Sequence, residues 1–184
     1  MTVRYSLVDA PAGRAFLAWT DRGVCCAEFA GGMEEPVSRL KAEYAGAEFV
    51  PARLADWEEA LARLQGPLET GGTAFQRMVW AYLRTIPAGE TRSYAQVAAA
   101  VGRPGSARAV ARACAANRIA VGIPCHRVVA ADGSLAGYRW GVERKRELLR
   151  LEMETAAAGS QRVQESQKTP KARVMTVSGA PARK

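Results

Sequence analysis

Histidine is almost absent from this 184-residue chain: there is one, His126. Cysteine is sparse too, with Cys25 and Cys26 adjacent, Cys114 and Cys125 eleven apart, and no CxxC pair. A zinc site needs about four soft ligands at short spacings, so no metal is expected. The same scarcity argues against a disulfide framework and for reduced, intracellular thiols. No apolar run approaches the ~20 residues of a membrane span, and the N-terminus lacks a basic-then-apolar leader. These absences lead to a soluble, cytoplasmic chain.

What is there is charge, unevenly placed. Residues 1–73 carry 7 basic and 11 acidic side chains, residues 74–152 carry 13 and 5, and residues 153–184 carry 6 and 2, for a net charge of +8. An acidic first part before an arginine-rich second part points to a polyanion partner for the second, the alternative being a solvated basic surface. The boundary falls at Thr70-Gly71-Gly72-Thr73. It divides the chain into an N-terminal α/β unit (1–70), a mostly helical unit (73–153) and a basic tail (154–184) expected to be disordered.

The local patterns support that division. Residues 3–8, 14–20 and 23–29 read as short strands, with Asp21-Arg22-Gly23 as a hairpin turn. Glu34-Glu35-Pro36 opens a helix, Phe49-Val50 suits one more strand, and Leu54, Trp57, Leu61 and Leu64 recur at helical spacing up to Gly66-Pro67. Beyond the boundary, Phe75, Met78, Val79, Tyr82, Leu83 and Ile86 form an apolar stripe ended by Pro87. Ser93 caps a helix at Tyr94–Val101, and Ser106 is placed to cap another from Ala107 to about Ala116. Two short helices across a Gly-Pro turn, the second carrying Arg108 and Arg112 one turn apart among alanines, have the shape of a helix-turn-helix. A last helix carries Lys145 and Glu152.

The chemistry concentrates in Gly122-Ile123-Pro124-Cys125-His126-Arg127-Val128-Val129, where a cysteine precedes the only histidine. A thiol beside a basic ring is the arrangement that yields a thiolate at neutral pH. On a regular strand the two side chains would point to opposite faces, so either the backbone kinks here or a water bridges them. A buried, inert cysteine is the competing reading.

Further residues carry a resemblance: Phe75-Gln76, Val79-Trp80, Ile86-Pro87, Gly89, Ser93-Tyr94, Arg108-Ala109-Val110, Asn117, Ile123 to Val128, Gly137-Tyr138, Gly141, Lys145, Leu148-Leu149 and Glu152. In order and spacing they resemble the O6-alkylguanine-DNA alkyltransferase family (methylated-DNA–protein-cysteine methyltransferases), most closely its bacterial branch. The resemblance implies an α+β protein: a small ribonuclease H-like N-terminal domain, then a helical domain with a helix-turn-helix of winged-helix type. It implies a monomer that binds duplex DNA, rotates an O6-alkylguanine out of the stack and transfers the alkyl group once to its own Cys125, without a cofactor; O4-alkylthymine stays open as a second substrate.

By the same resemblance, His126 takes the thiol proton through a water and Glu152 holds the imidazole, the logic of a triad with one water inserted. Asn117 is the hinge between the reading helix and the cysteine loop. Tyr94 crowds the target phosphate and donates to the flipped base, while Arg108 fills the vacated place in the stack. Gln76, Ser106, Ala109 and Arg112 join them at the DNA, in a minor groove that favours small side chains. Tyr138, Val128, Arg139 and Lys145 line the base pocket. Three other classes are weighed: a lesion binder of alkyltransferase-like type, which replaces the cysteine; a helix-turn-helix regulator, which needs a longer, cysteine-richer first part; and a cysteine hydrolase, which needs an oxyanion hole.

Overall fold

In the computed structural model, which describes residues 1–168, the chain begins with the three strands its sequence announces. Strands β1 (Thr2–Ala10), β2 (Gly13–Thr20) and β3 (Gly23–Phe29) run antiparallel, and β4 (Glu48–Pro51) adds on the far side of β1, parallel to it, for the order β3-β2-β1-β4. Gly23 has φ +140°, and a Cβ there would meet the Pro67 carbonyl oxygen at 2.3 Å, so only glycine serves this turn. Helix α1 (Glu34–Glu43) crosses between β3 and β4, and α2 (Trp57–Gln65) follows, its first turn capped by the Asp56 carboxylate on the Glu59 amide.

The two faces of this sheet do different things. One buries Val3, Phe16, Ala18, Cys25 and Cys26 with Leu40 of α1. The other presents Leu17, Trp19, Val24 and Ala27 to the second half of the chain, in one core with Val79, Trp80, Val110, Ile119, Ile123 and Cys125. Pleat alternation sorts β2, where residues two apart share a face, and in β3 a bulge opposite Ala18 and Trp19 puts the adjacent Cys25 and Cys26 on one side. The segments 1–70 and 73–153 therefore share a hydrophobic core.

The second half is helical: α3 (Ala74–Leu83), a two-residue strand β5 (Arg92–Ser93), α4 (Tyr94–Ala100) and α5 (Ala107–Ala115). A 3-10 turn at Cys125–Arg127 follows, then strand β6 (Val128–Val129), parallel to β5, and the long α6 (Val142–Lys168). The chain thus has mixed helices and strands, the α+β class expected. Complete capping boxes open α3 (Thr73 with Gln76) and α4 (Ser93 with Gln96). Ser106, by contrast, makes no side-chain cap to α5, contrary to the expectation from sequence: its backbone, at φ −92° and ψ 26°, departs from the extended form a cap residue needs. The tail also departs from expectation. Helix α6 continues past Thr155 to Lys168, since Ala156-Ala157-Ala158 and the surrounding Glu, Gln and Arg are strong helix formers; residues 169–184 lie outside the described residues. Among the described residues no helix is long and apolar enough to cross a membrane.

The caps give a direct stability test. Thr73→Ala and Ser93→Ala should each cost about 1 kcal/mol, while Ser106→Ala should change stability by only a few tenths. Urea unfolding midpoints at unchanged slope measure this. A loss at Ser106 equal to that at Ser93 would contradict the capping assignments.

Candidate alkyl-acceptor site

The site is built where α5 ends. Ala116 closes the helix, and Asn117, fully buried, turns its amide back into the loop that leads to Cys125. Its Nδ2 donates to the Ile123 carbonyl (2.9 Å) and to Cys125 Sγ (3.2 Å), and its Oδ1 accepts from the Ile119 amide (2.9 Å). The loop is tight enough to force Val121 to φ +67°, a sparsely populated region for a β-branched residue. Gly122 leaves no room for a Cβ, which would lie 2.9 Å from Ile119 and 3.0 Å from Leu64. Strand β3 holds the loop from outside: the Ala27 amide donates to Arg118 O (2.9 Å), the Ala120 amide donates to Ala27 O (2.7 Å), and Arg118 pairs with Glu43 at 2.5 Å.

After Pro124 the backbone does kink, into the 3-10 turn. The kink does not join thiol to imidazole. His126, completely buried, directs Nε2 at Glu152 Oε1 (2.8 Å), and its Nδ1 is buried without a hydrogen-bond partner. With a carboxylate on Nε2, the neutral ring carries its proton there and leaves the Nδ1 lone pair open.

Glu152 is engaged on both oxygens. Arg127 reaches them through Nε (3.0 and 3.2 Å) and Nη2 (2.7 Å), and the Gly89 amide donates to Oε2 (3.1 Å). Burial alone would raise this carboxyl, but hydrogen bonds from His126 and Arg127 outweigh it and hold it at about 2. Burial keeps the His126 imidazole below its ordinary range despite Glu152. The thiol differs from the expectation of a ready thiolate: burial pushes Cys125 up to about 11, against opposing pulls from Asn117, Lys145 and Arg139. A thiol shielded by apolar neighbours holds its proton until a partner removes it.

Around this centre the other expected residues take varied places. Arg108 and Arg112 stand exposed on α5, opposite its buried face of Val110, Ala113 and Cys114, and neither has an acidic partner among the described residues. Ala109 and Ser106 are half-buried beside them. Trp80 Nε1 donates to Ala113 O (2.8 Å), fixing α5 against α3. Tyr94, half-buried at the start of α4, is pushed up to about 12 by burial and by the Cys114 and Cys125 thiols, so it keeps its proton. The Tyr138 ring stands edge-on to His126 (6.5 Å) and Trp140 (5.1 Å), with its buried hydroxyl unpartnered.

Four of the expected residues have partners within the fold. Lys145 does not line an open pocket; it is fully buried, and its ammonium holds Val128 O (2.6 Å) and Ala136 O (3.0 Å). Val128 is correspondingly occupied, its amide also donating to Cys125 O. Gln76 lends its side-chain oxygen to the α3 capping box and lines a cavity of about 340 Å³ shared with Tyr44, Glu69 and Asn117. Arg139 is exposed and reaches Ala115 O at 3.4 Å. The sequence reading passed over Arg127, although its position beside the only histidine was a signal.

The geometry defines a class first: a protein with a buried thiol next in sequence to an imidazole–carboxylate pair and joined by one asparagine to an arginine-bearing helix. Comparison with known proteins completes the assignment. The profile of the family described as "6-O-methylguanine DNA methyltransferase, DNA binding domain" matches residues 74–154. The Methylated-DNA–protein-cysteine methyltransferase of Mycolicibacterium paratuberculosis is 41% identical over 82% of this chain and 92% of its own. The Bifunctional transcriptional activator/DNA repair enzyme Ada of Escherichia coli is 47% identical over 84% of this chain and 46% of its own. The crystal structure of Mycobacterium tuberculosis O6-methylguanine methyltransferase superposes with TM-score 0.68 at 36% identity, covering 83% of this chain and 94% of that one. This chain belongs to the methylated-DNA–protein-cysteine methyltransferase family. It spans about half the length of the Escherichia coli relative and 60% of a Salmonella typhimurium one.

The thiol's protonation is open to measurement. Modification of Cys125 by a small haloacetamide, read by peptide mass, should be slow at pH 7 and keep rising as pH increases toward about 11. A plateau by about pH 8, as for a low-pKa reactive thiol, would contradict this.

Proposed function

We propose that this protein repairs DNA directly, moving the alkyl group of an O6-alkylguanine in duplex DNA onto Cys125 in a single, irreversible turnover. The observation that carries the reading is the Asn117–Cys125 hydrogen bond set beside a neutral His126 backed by Glu152. In the transfer, the Cys125 Sγ–carbon bond forms as the carbon–O6 bond breaks. The thiol proton passes through a water to His126 Nδ1, and the electron pair of the broken bond stays on the guanine oxygen. Tyr94, which keeps its phenolic proton, donates a hydrogen bond to the departing base. The product is a neutral thioether with no group nearby to reverse it, so stoichiometry is one alkyl per chain. Nothing in these steps calls on a cofactor.

Duplex DNA is the partner because the unpaired Arg108 and Arg112 sit on an exposed helix face, and a structure of Mycobacterium tuberculosis OGT in complex with DNA shares 34% identity and a TM-score of 0.67. Binding through phosphates and a degenerate groove explains a basic surface without a preferred sequence. The sheet order β3-β2-β1-β4 with its parallel fourth strand suits a ribonuclease H-like domain, and α4–α5 with the β5–β6 pair suits a winged helix-turn-helix. The chain acts as a cytoplasmic monomer in this reading, and O4-alkylthymine stands as a further substrate to assay.

Intact-protein mass after reaction with methylated-guanine duplex tests the proposal: one added methyl, mapped to the Cys125 peptide, is expected. Label on Cys114 or release beyond one equivalent would overturn it. Arg108 supplies a sharper contrast. If it replaces the extruded base, Arg108→Ala should slow duplex repair by about tenfold per 1.4 kcal/mol of lost compensation while leaving reaction with free O6-alkylguanine nearly unchanged. Arg112→Ala should weaken duplex binding without that selective loss. Equal slowing of both reactions by Arg108→Ala would remove the assignment.

A further inference from the structure

We propose that Arg127 is a positioning residue for the transfer step: it grips Glu152 along one edge, makes that carboxylate serve two basic groups at once, and thereby leaves the His126 imidazole a free base. The proposal rests on the alkyl-transfer reading for its kinetic consequence only.

The fork is explicit in the geometry. Glu152 Oε1 meets His126 Nε2 at 2.8 Å and Arg127 Nη2 at 2.7 Å, while Oε2 meets Arg127 Nε at 3.0 Å and the Gly89 amide at 3.1 Å. The Arg127 and Glu152 side chains are 14% and 15% exposed, and His126 is fully covered. In an ordinary carboxylate–imidazole pair the anion belongs to one ring and stabilises its protonated form. Here a guanidinium, which cannot lose its proton, already neutralises the anion.

The groups facing His126 leave no further negative charge to welcome an imidazolium. Helix α6 contributes Glu152 and Lys145, whose ammonium is fully buried. The ring's own turn contributes Arg127 and the protonated Cys125, and the 138–140 segment contributes only the edge of Tyr138. A charged His126 would add a third cation to a dry site where Arg127 and Lys145 already oppose it and Glu152 is its one carboxylate contact, which is costly. Burial is the largest influence holding the ring below its ordinary range, and Arg127 and Lys145 act in the same direction.

Arg127 does a second thing. Its Nη1 donates to the Ile86 carbonyl, and Glu152 holds Gly89, so the turn leading to β5 and Tyr94 is pinned to the same fork. The base that receives the thiol proton and the helix start that bears Tyr94 are thus positioned by one guanidinium.

Because His126 is the only histidine of the chain, its titration can be followed without assignment. The experiment records imidazole NMR shifts against pH for the full chain, free of any added histidine tag, as the native protein, Arg127→Gln and Arg127→Lys. The native midpoint should lie below the ordinary imidazole range. Arg127→Gln should raise it by about one unit, a tenfold change in protonation, and Arg127→Lys, which keeps the charge but not the fork, by less than half as much. Transfer from free O6-alkylguanine should show its acid limb displaced by the same amount. An unmoved midpoint in Arg127→Gln with transfer slowed at every pH would make Arg127 a structural strut and overturn the proposal. A native midpoint at or above the ordinary range would overturn it even if Arg127→Gln does not fold. Shifted midpoints in a chain that transfers no alkyl group would instead count against the alkyl-transfer reading.

Discussion

The buried amide of Asn117 is the contact on which the rest of this structure depends. One side chain follows the end of α5, bridges the strained loop around Val121 from Ile119 to Ile123, and touches the thiol. Its value lies in its isolation from water: a hydrogen bond to a thiolate in a covered site is worth more than the same bond in solvent, and its loss leaves several groups unpaired. The N-terminal sheet contributes at this point too. Ala27 of β3 pairs with Arg118 and Ala120, so the loop carrying Asn117 is also an added edge of the sheet. A domain without evident chemistry therefore helps fix the distance between helix and thiol.

Electrostatically the site is a resting state, not a primed one. Burial keeps the thiol protonated and the imidazole neutral, while Glu152 stays ionised between His126 and Arg127. A thiol held in its protonated form is shielded from passing electrophiles, as a permanently charged thiolate would not be. Acid works against it in two ways. Glu152, depressed in the fold, contributes stability above the ordinary carboxylate range that is lost as pH falls toward about 2. His126, held neutral, loses its contribution in the same direction, since the unfolded chain takes up its proton first.

Much of this was legible in the residues. The strands and helices of the first half follow from their apolar runs and helical spacing, and the cap of α4 from Ser93. That Asn117 would meet Cys125, and Glu152 would meet His126, was readable through spacing and resemblance. What was hidden depends on burial. Lys145 reads from the resemblance as a pocket residue, yet it is enclosed and bonded to two carbonyls. A Cys-His neighbour pair suggests a thiolate, but desolvation outweighs adjacency. Ser106 has the residue type of a cap without the backbone for it, and the helix beyond Thr155 was missed because polar composition conceals good helix formers.

The central claim, that Asn117 couples the reading helix to the reactive thiol through its side chain, is tested most directly by Asn117→Ala. Transfer rates from duplex O6-alkylguanine and from the free base should be measured together, with folding checked by urea unfolding. The account expects both rates to fall by a common factor of about ten to a hundred, the range for losing one hydrogen bond to a charged group. A free-base rate equal to that of the native chain, in a folded variant, would show that Asn117 only terminates a helix and would contradict the account.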